Sequence, residues 1–195
     1  MRLTTIGVFC ASSDGADARY REAAGEMGRL LASAGRRIVY GGGRTGLMGA
    51  LAEAAMAAGG EVIGLMPRHL VDREVAHHQI TRLEVMDTMH ARKARLAELV
   101  DAFVALPGGL GTVEEFTEIW TWAQLGLHAK PYGLLNVLGY YDGLLAFLDG
   151  AVSQGFVRPE HRAMVQVATD PAALIAALES APPPARAKYV DGAGS

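Results

Sequence analysis

Two glycine-rich segments hold the residues of this chain best suited to chemistry. The first is Gly41-Gly42-Gly43-Arg44-Thr45-Gly46-Leu47-Met48-Gly49, and the second is Pro107-Gly108-Gly109-Leu110-Gly111-Thr112. Glycine where a strand hands over to a helix lets the backbone approach a ligand and aim N–H groups at it. The helix N-terminus adds a field that favours an anion. Arg44 and Thr45 could add bonds to phosphate oxygens. A single loop of this kind often does no more than turn the chain. Two at equivalent ends of a parallel sheet converge on one crevice and point to a phosphorylated ligand. Neither contains Gly-Lys-Ser/Thr, which argues against a nucleoside triphosphatase. Gly41 to Gly46 also fits Gly-x-Gly-x-x-Gly, but no acidic residue is clearly placed at the end of the next strand, as a dinucleotide enzyme requires.

The second segment continues as Thr112-Val113-Glu114-Glu115, which has the form of a capping box: Thr112 at the N-cap, with Glu115 reaching back to its amide. The same geometry puts a carboxylate in the first turn of a helix, where the macrodipole favours its ionised form. Beside a phosphorylated sugar, Glu115 could stabilise positive charge at the ring or activate a water, with Glu114 and Glu118 as alternatives. Spacing puts Glu115, Glu118 and Trp122 on one stripe, and Phe116, Ile119, Trp120 and Ala123 on another that belongs to the core. A second polar cluster is Met89-His90-Ala91-Arg92-Lys93-Ala94-Arg95. Cations at a helix start oppose the dipole. They are either a solvated charged face, or Arg92 and Lys93 set against a phosphate or a leaving base. His77-His78 lacks the spacing of a helical metal pair and reads as surface or loop.

The elements that must position these groups alternate. Strands are expected over Thr4 to Ala11, Arg37 to Tyr40, Glu61 to Met66, Thr81 to Val85, Ala102 to Leu106, Tyr132 to Asn136 and Val165 to Ala168. Helices are expected over Ala16 to Ala34, Leu47 to Ala58, Met89 to Val100, Thr112 to Leu125, Tyr141 to Gln154 and Pro171 to Leu178. Strands of near-continuous hydrophobicity, each followed by a helix, imply a doubly wound α/β fold with a parallel sheet covered on both faces. Its ligands sit beyond the carboxyl ends of the strands. Residues 1–181 read as one domain and 182–195 as a loose tail.

Composition bounds the partners. The 195 residues carry a formal charge of −3 and no polycationic run, which argues against a general nucleic-acid binder. No stretch approaches the roughly 18 apolar residues of a transmembrane helix, and the N-terminus is too briefly apolar for a signal peptide. Cys10 is the only cysteine, so no intrachain disulfide forms and a reducing, cytoplasmic setting is expected.

Pro107-Gly-Gly-Leu-Gly-Thr-Val-Glu-Glu115 resembles the Pro-Gly-Gly-x-Gly-Thr-x-x-Glu signature of the LOG (LONELY GUY) family of cytokinin-activating phosphoribohydrolases, often labelled lysine decarboxylases. Met89 to Lys93 resembles the family's Met-His-x-Arg-Lys element, with Ala91 where many relatives have Glu. Gly41 to Gly49 and Thr121 to Pro131 match further family stretches. The resemblance implies a Rossmann-like fold and a homodimer whose active site borrows from the partner subunit. The activity implied is hydrolysis of the N-glycosidic bond of adenine-type nucleoside 5′-monophosphates: N6-prenylated AMP such as isopentenyl-AMP, and often AMP. It implies Arg92 and Glu115 as the catalytic pair. Substrate and phosphate binding is implied for Gly42, Gly43, Gly46, Met89, Lys93, Gly108, Gly109, Gly111 and Thr112. No metal or organic cofactor is implied. Rival readings are a nucleotide-binding sensor or carrier without turnover, an AMP nucleosidase of purine salvage, and a pyridoxal phosphate decarboxylase. The last needs a Schiff-base lysine from among Lys93, Lys130 and Lys188.

Overall fold

The structure, a computed structural model, describes residues 3–71 and 76–182. Among the described residues seven strands form, β1 (Thr5–Phe9), β2 (Arg37–Tyr40), β3 (Val62–Pro67), β4 (Arg82–Met86), β5 (Ala102–Ala105), β6 (Tyr132–Leu135) and β7 (Val165–Ala168). All pair in parallel, in the order β4-β3-β2-β1-β5-β6-β7. The chain winds outward from β1 to β4, then restarts at β5 on the other side of β1 and winds outward again. The switch point lies between β1 and β5, in register from Ile6 opposite Ala102 to Phe9 opposite Ala105.

Every residue of β1, β3 and β5 is buried, so neither face of the sheet's centre can be left to water. The helices are α1 (Ala18–Ser33), α2 (Gly46–Ala57), α3 (Arg68–Val71), α4 (Met89–Leu99), α5 (Leu110–Gln124), α6 (Asp142–Ser153), α7 (Pro159–Arg162) and α8 (Pro171–Glu179). On one face α1, α2 and α8 bring Met27, Leu31, Leu51 and Leu174 against Ile6, Val8, Ile38 and Tyr40. On the other, α4 and α5 bring Leu96, Phe116, Ile119 and Trp120 against Phe9, Val39, Ile63 and Phe103. Alternate residues of one strand, Ile38 and Tyr40 against Val39, enter opposite clusters, as the strand's period of two requires.

Each expected strand and each long helix is present to within about two residues. β1 stops at Phe9 because the next stretch turns to the neighbouring loop, where the Ala11 N–H donates to the Pro107 carbonyl at 3.2 Å. The helix expected from Thr112 starts at Leu110 instead, with Gly109 at its N-cap. Three elements lie outside the expected set, namely α3, α7 and a 3₁₀ turn at Val137–Gly139. Four residues or fewer cannot display a helical period. No helix among the described residues is long and apolar enough to cross a membrane. The tail expected from 182 onward falls, from 183, outside the described residues.

Candidate functional site

Beyond the carboxyl ends of the central strands lies a cleft of about 290 Å³. Cys10 to Ser13, following β1, form one side, and Gly41 and Met48 of the first glycine segment form another. Pro67 and Leu70 close it beyond β3. The amino end of α4 contributes Met89 and Arg92, and α5 contributes Gly109, Gly111, Thr112 and Glu115. The two glycine segments do meet at one crevice, and their contributions differ.

The second segment presents a helix N-terminus. Val113 is the first residue of α5 whose N–H reaches back into the helix, to the Gly109 carbonyl at 3.1 Å. The preceding amides have no intrahelical acceptor and point past the end of the helix. A Cβ built on Gly109 or Gly111 meets nothing within 4 Å, and Gly109 has an ordinary φ of −83°. Neither packing nor backbone conformation therefore demands glycine at these two positions, but close approach of a ligand would. Gly108 is different, since a Cβ there would lie 2.1 Å from Thr112 Oγ1. The loop is held from behind. Tyr140 donates its hydroxyl hydrogen to the Gly108 carbonyl at 2.7 Å, and Tyr141 donates to the Leu106 carbonyl at 2.6 Å. Burial pushes the Tyr141 phenol far above its usual range, so it remains a donor.

The capping box is not formed. With Gly109 at the N-cap, Thr112 is the third helical residue and Glu115 belongs to the second turn. Its carboxylate turns away from its own helix to the Arg92 guanidinium, Oε1 meeting Nη1. Thr88 caps α4, accepting from the Ala91 N–H at 3.1 Å, and this start sets Met89 and Arg92 on the face toward the cleft. The Arg92 side chain is buried. Its Nε donates to the Leu65 carbonyl at 3.0 Å, and Nη1 lies 3.3 Å from Met89 Sδ. Burial raises the Glu115 carboxyl above its ordinary range. The charge and hydrogen bond of Arg92 oppose that rise without cancelling it. Burial likewise pushes up the neighbouring Cys10 thiol, with the Glu115 charge adding to the effect, so this sulfur stays protonated.

The cations of α4 are not a solvated face. Arg92 and Lys93 are both buried, and Arg95 pairs with Glu84 at 3.1 Å; His90 is exposed. Lys93, expected at the substrate, lies outside the cleft lining. Its Nζ is 2.7 Å from Glu114 Oε1 and 2.8 Å from Glu118 Oε2.

The first segment supplies a wall of the cleft through Gly41 and Met48. The Leu47 N–H donates to the Ser13 carbonyl at 3.3 Å and the Met48 N–H to the Ala11 carbonyl at 3.1 Å, so the loop after β1 takes the donors that begin α2. Gly46 has φ +60° and packs on that loop, and a Cβ there would lie 2.3 Å from the Ser12 carbonyl carbon. Gly42 packs on Gly64, and Gly43 accepts from the Tyr40 hydroxyl at 3.1 Å. Gly42, Gly43 and Gly46 are outside the lining, as are Arg44 and Thr45, which are exposed. His77 is in a loop but buried, its N–H donating to the Gly42 carbonyl at 2.9 Å, whereas His78 is exposed. Among the described residues no three His, Cys, Asp or Glu side chains are grouped to hold a metal ion.

Sequence reasoning passed over Cys10, Ser12, Ser13, Pro67 and Leu70 as lining residues. The signal was available for the first three, because they follow the strand next to the switch point, where ligands of such sheets sit. Nothing in local spacing marks Pro67 or Leu70.

The family model described as "Possible lysine decarboxylase" matches residues 48–178. Among similar proteins is one of Oryza sativa subsp. japonica named "Probable cytokinin riboside 5′-monophosphate phosphoribohydrolase". It is 51% identical over 178 residues, covering 91% of this chain and 78% of the relative. Another, from Rhodococcoides fascians, is named cytokinin riboside 5′-monophosphate phosphoribohydrolase and is 48% identical over 90% of this chain and 89% of the relative. Among solved structures, the molybdenum cofactor (Moco) carrier protein of Chlamydomonas reinhardtii superposes with a TM-score of 0.67 at 25% identity, over 91% of this chain and 96% of that one. The molybdenum cofactor binding protein of Rippkaea orientalis gives 0.68 at 24% identity, over 92% and 98%, a likeness of fold.

Proposed function

The chain belongs to the LOG family of phosphoribohydrolase-like proteins, and from that premise we propose that it hydrolyses the N-glycosidic bond of adenine-type nucleoside 5′-monophosphates. The substrates are N6-prenylated AMP such as isopentenyl-AMP, and AMP itself. The products are the free base and ribose 5-phosphate. The observation that carries this reading is the meeting, in one cleft, of the uncovered amide end of α5 with the buried Arg92–Glu115 pair.

The 5′-phosphate docks on the amides at Gly109, Gly111 and Thr112, where charge-assisted hydrogen bonds and the helix field add. The loop glycines leave room for its oxygens. The ribose then lies toward Glu115. As the C1′–N bond to the base lengthens, positive charge develops on the sugar ring, as in other glycoside hydrolyses. The Glu115 carboxylate stabilises that charge and orients a water toward C1′. The water oxygen forms the new bond to C1′, the bond electrons leave with the base, and the proton the water gives up ends on the departing nitrogen. Arg92, anchored to Leu65 and Met89, holds Glu115 in place and keeps the base side of the substrate in line. Uniform grip on the phosphate supplies binding, while the charged pair supplies the preference for the transition state.

The working form is a homodimer with the partner completing the cleft. Supporting this, Leu110, the first residue of α5 and next to the cleft lining, is 92% exposed, and α6 buries none of its residues although Phe147 is 70% exposed on it. A reducing, cytoplasmic setting suits the lone thiol of Cys10.

A second reading is a carrier that binds a phosphorylated heteroaromatic ligand without turning it over, favoured by the likeness to molybdenum cofactor carriers. Incubating the protein with AMP and with isopentenyl-AMP and chromatographing for the free base separates the two. Release of adenine or isopentenyladenine supports the hydrolase, and saturable binding with neither base released supports the carrier.

A further inference from the structure

Two ion pairs run side by side between α4 and α5. Arg92 meets Glu115 in the cleft and, one residue on along α4 and one back along α5, Lys93 meets Glu114. Glu114 and Glu118 are four residues apart on the same helix face, and the Lys93 ammonium stands between them at 2.7 and 2.8 Å. The Lys93 side chain is only 8% exposed. Burial by itself would lower its pKa, yet the two carboxylates outweigh burial and raise it, so the ammonium keeps its charge. A buried, doubly paired cation outside the cleft lining is not disposed to bind a nucleotide.

We propose that Lys93 is a positioning residue for Glu115: it fixes α5 on α4 at the register that brings Glu115 to Arg92, and its charge offsets the acidic pair next to Glu115. The proposal rests on the catalytic reading of Glu115 given above. The charged groups that act on Glu115 are Arg92 and Lys93 from α4 and Glu114 from its own helix, and the Cys10 thiol just past β1, which Glu115 itself pushes up, stays protonated. Lys93 favours the ionised carboxylate and Glu114 disfavours it. Removing Lys93's charge leaves Glu114 and Glu118 uncompensated, whereas removing Glu114's charge relieves Glu115.

Lys93→Met and Glu114→Gln break the same ion pair, and this makes the test decisive. A loss of packing alone moves both variants the same way; an effect of charge moves them in opposite directions. The readouts are the titration of the Glu115 carboxyl, followed by 13C NMR on glutamate-labelled protein, and the acid limb of kcat/KM for AMP. In Lys93→Met both move to higher pH by roughly half a unit or more, in Glu114→Gln both move lower, and Lys93→Arg returns toward the parent. Equal, same-sign or absent shifts overturn the proposal. So does a large rise in KM for Lys93→Met with an unmoved limb, the mark of a direct substrate ligand. Should Lys93→Met fail to fold, Glu114→Gln, changed at a side chain 57% exposed, carries the sign by itself. A parent protein that releases no base from either nucleotide sinks the hydrolase reading instead, and the NMR titration then judges the ion-pair claim alone.

Discussion

Gly111→Ala adds one methyl group to the first turn of α5, at a point on the cleft where it meets no atom within 4 Å beyond its own stretch of helix backbone. For the protein alone the change is favourable. Alanine is preferred to glycine in helices, and it narrows the unfolded ensemble, together worth about 0.5 kcal/mol this near a helix end. At this chain length that raises Tm by roughly 1–2 °C. For a phosphate docked on the amides of Gly109 to Thr112 the change is harmful. The methyl occupies space that phosphate oxygens need if they are to reach the backbone N–H groups at hydrogen-bond distance. Loss of one charge-assisted bond costs about 1.5–3 kcal/mol, a rise in KM of roughly tenfold to a hundredfold. Thermal unfolding and steady-state hydrolysis of AMP on the same preparation read the two effects. A higher Tm with KM unchanged within about twofold would refute the reasoning, because the phosphate would then lie elsewhere.

Gly46→Ala should behave in the opposite manner: its Cβ would meet the Ser12–Ser13 backbone at 2.3 Å in a left-handed conformation, so stability falls by roughly 2–4 kcal/mol. An unchanged melting curve would show that α2 does not depend on this close contact. Burial holds Glu115 above the ordinary carboxylate range against the pull of Arg92, and the ionised form is the active one, so kcat/KM is full above that raised value and falls as pH drops through it. A profile that stays flat down to the usual carboxylate range contradicts this. Pyridoxal phosphate should give no internal aldimine absorbance, since Lys93 lies between two carboxylates and Lys130 donates to the Ala97 carbonyl. A stable aldimine band would revive the decarboxylase reading.

The sheet was legible because its central strands are short, largely apolar runs, such as Thr5–Phe9 and Ala102–Ala105, bounded by turn residues. Turn residues and the helix period located the rest to within a residue or two. What escaped were facts of tertiary origin. Thr112 to Glu115 has the local pattern of a capping box, but the helix already starts at Leu110 with Gly109 at its N-cap, and the Arg92 charge across the cleft draws the carboxylate away. The two glycine segments look equivalent in sequence. Only folding reveals that Ala11 and Ser13 take the Leu47 and Met48 amides at the start of α2, whereas the first turn of α5 lines the cleft. Lys93 shares a short motif with Arg92, yet consecutive helical residues point about 100° apart, and the structure sends one to the cleft and the other to Glu114 and Glu118. The core stripe of Phe116, Ile119, Trp120 and Ala123 was readable, because burial on one helix face has a period and pairing between helices does not.

The central claim is that the Glu115 carboxylate eases the bond between base and ribose. It is tested most directly by single-turnover release of isopentenyladenine from isopentenyl-AMP, comparing the parent protein with Glu115→Gln at saturating protein. The account predicts a drop in rate of about a hundredfold or more with AMP affinity nearly kept, while Tm falls because the buried Arg92 loses its counter-charge. A Glu115→Gln protein that releases base at the parent rate would contradict it.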